Sequence, residues 1–274
     1  MLELPEAAVI SKQMDEKLRG LEIARVIAAK SPHGFAFYTG DPASYEELLK
    51  GRKVDKVHAW AGQIEMCVGD MRLVFSEGTN LRYLAAGEKI PDKHQLYVGF
   101  DDGSGFVCTV QMYGFMYLFK DGEGDNIYYQ VSVQKPTPFT DEFDKAYFDE
   151  IVKSAGPKAS AKALLATQQR IPGLGNGCLH DILWNARVNP QTKLSALTDK
   201  DIDAIFNSVK STLKEMTQKN GRDTEKDFFG KPGGYMTRLS NKTAAYPCPE
   251  CGGPITKKAY MGGNVYFCTA CQPL

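Results

Sequence analysis

The sequence predicts an α+β protein of several domains: a leading helix, a β-rich half, a helical bundle and a terminal hairpin built on four cysteines. Three observations carry this reading. Residues 21 to about 134 consist of short β-branched or aromatic runs broken by turn signals, and residues 143–220 change to helical periodicity. The last 27 residues hold Cys248, Cys251, Cys268 and Cys271.

Taken in order, Ala7, Ile10, Met14 and Leu18 recur three to four apart between Pro5 and Gly20, which marks one face of a helix closed by the glycine. The runs LEIARVI, FAFYT, QIEMCV, MRLVF, LRYLA, QLYVGF, FVCTV, FMYLF and IYYQVSV follow, separated by turns such as DDGSG and DGEGD. They read as strands of a β-sandwich or barrel, interrupted by SYEELLKG as a helix. QKPTPFTDEFD has two prolines and no period, so a linker is placed at 134–142.

Beyond the linker, FDKAYFDEIVKSA and SAKALLATQQ read as short helices, and PGLGNG breaks the chain before CLHDILWNARV. A long helix follows Thr198, its N-cap, with Ile202, Ile205, Phe206, Val209, Leu213 and Met216 on one face. GRDTEKDFFGKPGGYMTRLSNKT, basic at Lys226, Lys231, Arg238 and Lys242, reads as a connecting segment, either solvated or lying along phosphates. The expected domains are 1–133, the linker, 143–235 and 236–274.

Composition sets the outer bounds. With 43% hydrophobic and 24% charged residues, and no apolar run of membrane-spanning length, the chain reads as neither a membrane protein nor disordered. No signal-peptide pattern opens it, so the expected compartment is the cytoplasm. Net charge is zero, yet residues 151–274 carry 17 Lys/Arg against 9 Asp/Glu, about +8, leaving about −8 on the first half. That asymmetry points to a polyanion partner or to a solvated basic face. Cys67, Cys108 and Cys178 are scattered in apolar context and read as buried and inert.

The strongest signal is YPCPECGGPITKKAYMGGNVYFCTACQ, with two CxxC pairs sixteen residues apart. Two-residue spacers turn both sulfurs of a pair toward one centre, and four thiolates close a tetrahedral zinc shell. Such a site has no open position for water, so one structural zinc ion is expected. ITKKAYM and NVYF flank a Gly262-Gly263-Asn264 turn and read as a β-hairpin. Two disulfides fit poorly with a cytoplasmic chain.

MLELPE at the start, PGLGNG opening a helix, the long helix after it and the terminal four-cysteine hairpin, in that order, resemble the formamidopyrimidine-DNA glycosylase/endonuclease VIII family. The resemblance covers the whole chain. It implies a two-layer β-sandwich with a leading helix, a helix-two-turn-helix domain and a zinc finger, with kinked double-stranded DNA, damaged or abasic, as partner and the damaged nucleotide flipped out. A monomer associated with the nucleoid, and no membrane partner, go with it.

In that family an N-terminal proline amine attacks C1′ of the damaged nucleotide, and a neighbouring carboxylate moves protons. By resemblance the catalytic group is the N-terminal amine of Met1 or Leu2, with Glu3 as the acid and Glu6 as the second acid of the motif. A second reading of Glu6 is a carboxylate stabilised by the helix dipole. Asn176 matches a phosphate contact at a helix N-terminus, alongside or instead of N-capping, and Lys162 matches a phosphate-binding lysine or is a solvated one.

The chain departs from the family pattern in five places. Leu2 replaces the proline, so Met1 is expected to stay and to carry a primary amine. Gly62 or Gln63 stands where a hairpin lysine belongs. FSEGTNL lacks a wedge methionine, and Gln111, Met112 and Tyr113 replace an arginine and a phenylalanine, either filling the void left by the flipped nucleotide or packing in the sheet. Gly263 or Asn264 replaces the finger arginine, with Lys257 and Lys258 nearby as compensating DNA contacts. His180 and Asp181 replace an acidic pair. Two functions remain open: a DNA N-glycosylase of base-excision repair with abasic-site lyase chemistry available to it, or a catalytically degenerate binder of damaged, abasic or kinked DNA. An RNA-binding or protein-interaction module has only the basic half and the finger in its support.

Overall fold

The leading helix, α1 (Leu4–Leu18), begins with Pro5 in its first turn, where a missing N–H leaves no ladder bond unmade. Ala7, Ile10, Met14 and Leu18 are all buried, the face the periodicity marks. In this computed structural model, which describes residues 2–274, strands β1 (Ile23–Ala28) and β2 (Ala36–Tyr38), helix α2 (Tyr45–Leu49), and strands β3 (Lys56–Trp60), β4 (Gln63–Val68), β5 (Met71–Phe75), β6 (Thr79–Leu84), β7 (Leu96–Phe100), β8 (Gly105–Val110) and β9 (Gly114–Lys120) follow.

Two sheets result. One has the order β1-β7-β8-β6 and the other β2-β9-β5-β4-β3. All pairs are antiparallel except β2 with β9. Val26, Val98, Phe106 and Leu81 from the first sheet share one core with Ile64, Met66, Leu73, Phe75 and Met116 from the second, and α1 adds Ile10, Met14 and Leu18. This is the expected two-layer sandwich with its helix.

IYYQVSV is a helix, α3 (Ile127–Gln134), and not the strand its composition predicts. Asn126 decides this, because its side-chain oxygen accepts from the N–H groups of Tyr128 and Tyr129 and caps the helix start.

The chain divides into two compact units, Met1–Val133 with Glu225–Gly233, and Gln134–Thr224 with Gly234–Leu274. The polar segment after the long helix is therefore no solvated connector over 225–233. Phe228 is fully buried in the sandwich core, with its ring centroid 6.1 Å from that of Phe106. The Phe228 N–H donates to Gln13 Oε1, and its carbonyl accepts from the Tyr83 N–H at 2.7 Å.

In the second unit, α4 (Lys145–Ala155), α5 (Ala161–Ala166), α6 (Asn176–Asn185) and α7 (Asp199–Gln218) form the helical part. Side chains of Asp144 and Ser160 cap α4 and α5, and Thr198 with Asp201 makes a reciprocal capping box on α7. Between α5 and α6, Gln168 and Gln169 (φ 55° and 49°) and Gly173 (φ 76°) reverse the chain twice. That is the helix-two-turn-helix arrangement. Strands β10 (Ile255–Tyr260) and β11 (Gly263–Cys268) form the terminal hairpin. Its two turn residues are Met261 and Gly262, both left-handed at φ 49° and 75°, so Gly263 and Asn264 open β11 instead of making the turn. Among the described residues no helix is long and apolar enough to cross a membrane.

Candidate functional site

The N-terminal candidates sit at the head of α1. Met1 lies outside the described residues. Leu2 is 3% exposed and packs into the sandwich core, so the residue that replaces the proline anchors the head of α1. Glu3 has extended backbone and is the helix N-cap, its carbonyl accepting from the Ala7 N–H at 2.8 Å. Glu3 and Glu6 are 4% and 3% exposed, far more buried than carboxylates ordinarily are. Glu6 lies in the first turn of α1.

The loop between β8 and β9 comes close to Glu3 through Tyr113. Gln111, Met112 and Tyr113 are all exposed, so they stand clear of the sheet and do not pack in it. Burial raises the Tyr113 phenol pKa, and Glu77, Tyr128 and Glu3 raise it further, which places Tyr113 within the field of the Glu3 carboxylate. A second loop locks the first in place. Ser76 N–H donates to the Phe115 carbonyl at 3.1 Å and Phe115 N–H to Ser76 Oγ at 3.0 Å. Gly78, at φ 84°, approaches so closely that a Cβ there would lie 1.7 Å from the Tyr113 carbonyl oxygen.

At the β3–β4 turn, Gln63 is 5% exposed and its amide donates to Ser132 Oγ. Of Gly62 and Gln63, the two residues that stand for the missing hairpin lysine, Gln63 therefore points its side chain into the protein and Gly62 has none. Ala61, beside Gly62, takes the left-handed turn conformation at φ 51°.

In the second unit three candidates meet. Lys162 is 2% exposed; its Nζ donates to the Tyr260 carbonyl at 2.6 Å and lies 6.0 Å from the centre of the Tyr260 ring. Burial lowers its pKa from the usual lysine value. It is not a solvated helix lysine. A Cβ at Gly263 would lie 3.0 Å from Asn176 Nδ2 and 3.9 Å from Lys162 Nζ, so the hairpin backbone passes close to both side chains. Asn176 is the first residue of α6 and Gly175 its N-cap, which corrects the expectation of an N-capping asparagine. An ammonium, an amide and the N–H groups of a helix start thus converge, a set suited to an anion.

Lys257 and Lys258 follow one another on β10 and so point to opposite faces. The first donates to Asn241 Oδ1 at 3.3 Å and the second to Gln191 Oε1 at 3.1 Å. Asn264 is exposed at the start of β11.

The four cysteines form a cluster that can hold a metal ion, their sulfurs all within 4.8 Å of one another. Cys248 and Cys271 are 3.8 Å apart and Cys251 and Cys268 3.4 Å, as unbridged thiols. Burial works against ionisation of Cys248, but backbone N–H groups of Cys251 and Glu250 outweigh it and hold the thiol at about 6. Burial and the neighbouring thiols push Cys271 up to about 12. Four sulfurs this close cannot all ionise without a cation between them, and a tetrahedral dication supplies that charge.

His180 and Asp181 turn out to hold this region together. Asp181 is fully buried and accepts from the N–H groups of Arg238 and Leu239 at 2.9 and 2.8 Å, fixing the segment that leads into the hairpin. The His180 ring meets that of Tyr266 on β11 edge-on at 5.1 Å. No local pattern in the sequence marks these pairings, since both partners of each lie far apart in the chain.

Residues 135–227 match the family model described as the formamidopyrimidine-DNA glycosylase H2TH domain. Over its whole length the chain is similar to the formamidopyrimidine-DNA glycosylase of Lactobacillus delbrueckii subsp. bulgaricus, 28% identical over 281 residues and covering 99% of each chain. That of Bacillus cereus is 27% identical over 285 residues, covering 100% of this chain and 99% of the relative. In fold it is similar to Lactococcus lactis Fpg in a complex with DNA containing an abasic site, with a TM-score of 0.84, 22% identity, and 99% of this chain and 100% of that chain covered. The MutM (Fpg) protein of Thermus thermophilus gives a TM-score of 0.81 at 21% identity over 98% of both chains.

Proposed function

The chain belongs to the formamidopyrimidine-DNA glycosylase family, and on that premise we propose that it is a DNA N-glycosylase of base-excision repair. Its substrate is double-stranded DNA carrying a damaged base or an abasic site. The observation that carries this reading is the buried Glu3 at the head of α1, with the exposed Gln111–Tyr113 loop beside it and Tyr113 within its field. An acid there can pass a proton to the sugar ring oxygen, and an exposed amphipathic loop can take the place of an extruded nucleotide.

The N-terminal amine supplies the electron pair to C1′, and the glycosidic bond breaks with the damaged base as leaving group. An amine retained on Met1 is primary, with an ordinary pKa of about 7.7–8.0, and is partly unprotonated near neutral pH. Loss of an amine proton and opening of the sugar then give a Schiff base, from which elimination cleaves the strand. Glu3 donates to the ring oxygen in the first stage and takes a proton in the second. A water activated by Glu3 gives base release without the Schiff base. Lys162, Asn176 and the start of α6 hold a backbone phosphate, and one zinc ion bound by Cys248, Cys251, Cys268 and Cys271 keeps the hairpin shaped around them.

A second reading, a binder of damaged DNA without chemistry, is favoured by Leu2 in place of proline and by Gln63 turned inward where a lysine belongs. Base release separates the two. Incubation with duplexes carrying oxidised or ring-opened purines, followed by chromatography of the freed base, yields turnover for the glycosylase. Tight, salt-sensitive binding with no release from any lesion assigns the second reading.

A further inference from the structure

The five-stranded sheet carries a second convergence of metal-ligating atoms, independent of the four cysteines and of the glycosylase reading. His58 and Glu65 are direct partners across β3 and β4, and Cys67, two residues beyond Glu65, points to the same face. His58 Nε2 lies 3.5 Å from Glu65 Oε1, and Cys67 Sγ lies 3.6 Å from the same oxygen. One donor atom from each of the three residues lies within 4.8 Å of the others. The other carboxylate oxygen, Oε2, accepts from the hydroxyl of Tyr129 on α3, which fixes the plane of the carboxylate and leaves Oε1 facing the imidazole and the thiol.

The N···O and S···O separations match two edges of a tetrahedral shell. With Zn–N and Zn–O near 2.0–2.1 Å and Zn–S near 2.3 Å, the edges are about 3.4 Å for N···O and about 3.5 Å for S···O. We propose that His58, Glu65 and Cys67 form a three-donor site for a zinc-class divalent cation, with the fourth position open to water. The mixed sulfur, nitrogen and carboxylate set suits zinc better than magnesium or calcium.

Nearby cations limit the affinity without closing the site. Arg72 Nε is 3.8 Å from Glu65 Oε1, but the guanidinium is committed to Asp121 at 2.5 Å and to the carbonyls of Gly69 and Met71. Lys56 and Asp15 add one charge of each sign around His58. Cys67 gives its thiol proton to solvent on binding, so a thiolate and a carboxylate balance the dication. Cys67 and His58 are both partly exposed, which leaves an entry path. The bound ion would tie β3 to β4 and, through Tyr129, to α3.

The test is equilibrium dialysis of the full chain against Zn²⁺ with metal read by mass spectrometry. The expected result is two equivalents per chain, falling to one in the His58→Gln, Cys67→Ser double variant, whose circular dichroism shows whether it folds. On the unaltered protein, loading the second equivalent should protect Cys67 from iodoacetamide several-fold, read on its own peptide, which needs no variant. One equivalent in the unaltered chain, two in the folded double variant, or equal alkylation of Cys67 with one and two equivalents overturns the assignment.

Discussion

Lys162 Nζ donates a 2.6 Å hydrogen bond to the carbonyl oxygen of Tyr260, the last residue of β10, so the helix before GLGN is tied to the hairpin of the cysteine cluster. The same ammonium lies 3.9 Å from where a Cβ on Gly263 would sit, beside Asn176. One buried cation thus organises the place proposed to hold a phosphate.

Lys162→Met keeps the aliphatic packing and removes the charge. Duplex affinity should fall by about 1–3 kcal/mol, and the slope of log affinity against log salt should shrink by about 1. Fluorescence anisotropy over a salt series measures both. An unchanged slope would mean that Lys162 serves the hairpin alone.

Glu3→Gln preserves shape at the head of α1 and removes the acid. Base release should drop by about 10²–10⁴-fold, the range for general acid–base catalysis, while binding to abasic duplex stays within about threefold. Single-turnover kinetics and anisotropy on one preparation separate the two effects.

Gly78→Ala puts a methyl against the Tyr113 carbonyl in a left-handed backbone conformation. Global stability should fall by about 1–3 kcal/mol, the range for a strained backbone position. The Gln111–Tyr113 loop should shift with it, lowering base release more than nonspecific duplex binding. Urea titration together with the release assay checks the pair of outcomes.

Asp15 on α1 accepts from the Val57 N–H at 2.7 Å and from Arg19 at 2.5 and 3.2 Å. Burial opposes ionisation, but these bonds outweigh it and hold the carboxyl below 3.8. A depressed folded pKa means that the stabilisation is fully present above the unfolded value and is lost as pH falls through the folded one. Asp15→Asn should therefore destabilise by about 1 kcal/mol at pH 7. The gap should close in strong acid, as measured by urea titration at both pH values.

Removal by a chelator of the zinc ion proposed for the four-cysteine cluster should leave the sandwich unit folded and abolish duplex binding, because the hairpin would lose the cation that lets its thiolates coexist. Proteolysis confined to residues 236–274, together with lost anisotropy, is the expected pattern. Full duplex affinity in the metal-free protein would contradict it.

Much of the fold was legible because its determinants are local. The spacing of Ala7, Ile10, Met14 and Leu18 marks α1, Thr198 caps α7, and the two CxxC pairs mark the cysteine cluster. IYYQVSV misleads because aromatic and β-branched residues suit a strand, while one asparagine before it caps a helix. The burial of Phe228 in the first unit depends on a partner more than a hundred residues away, Phe106, and polar neighbours conceal it. The site divides the same way. Glu3 and Glu6 follow from a short motif, whereas Lys162, Asn176 and Gly263 are brought together only by the folded second unit, and His58, Glu65 and Cys67 only by strand register.

Borohydride reduction during incubation with a duplex containing one abasic site tests the central claim most directly, that the N-terminal amine beside Glu3 attacks the sugar. The account predicts a covalent protein–DNA adduct whose peptide map ends at the N-terminal amine. An adduct on an internal lysine, or none under conditions where the duplex is fully bound, would contradict it.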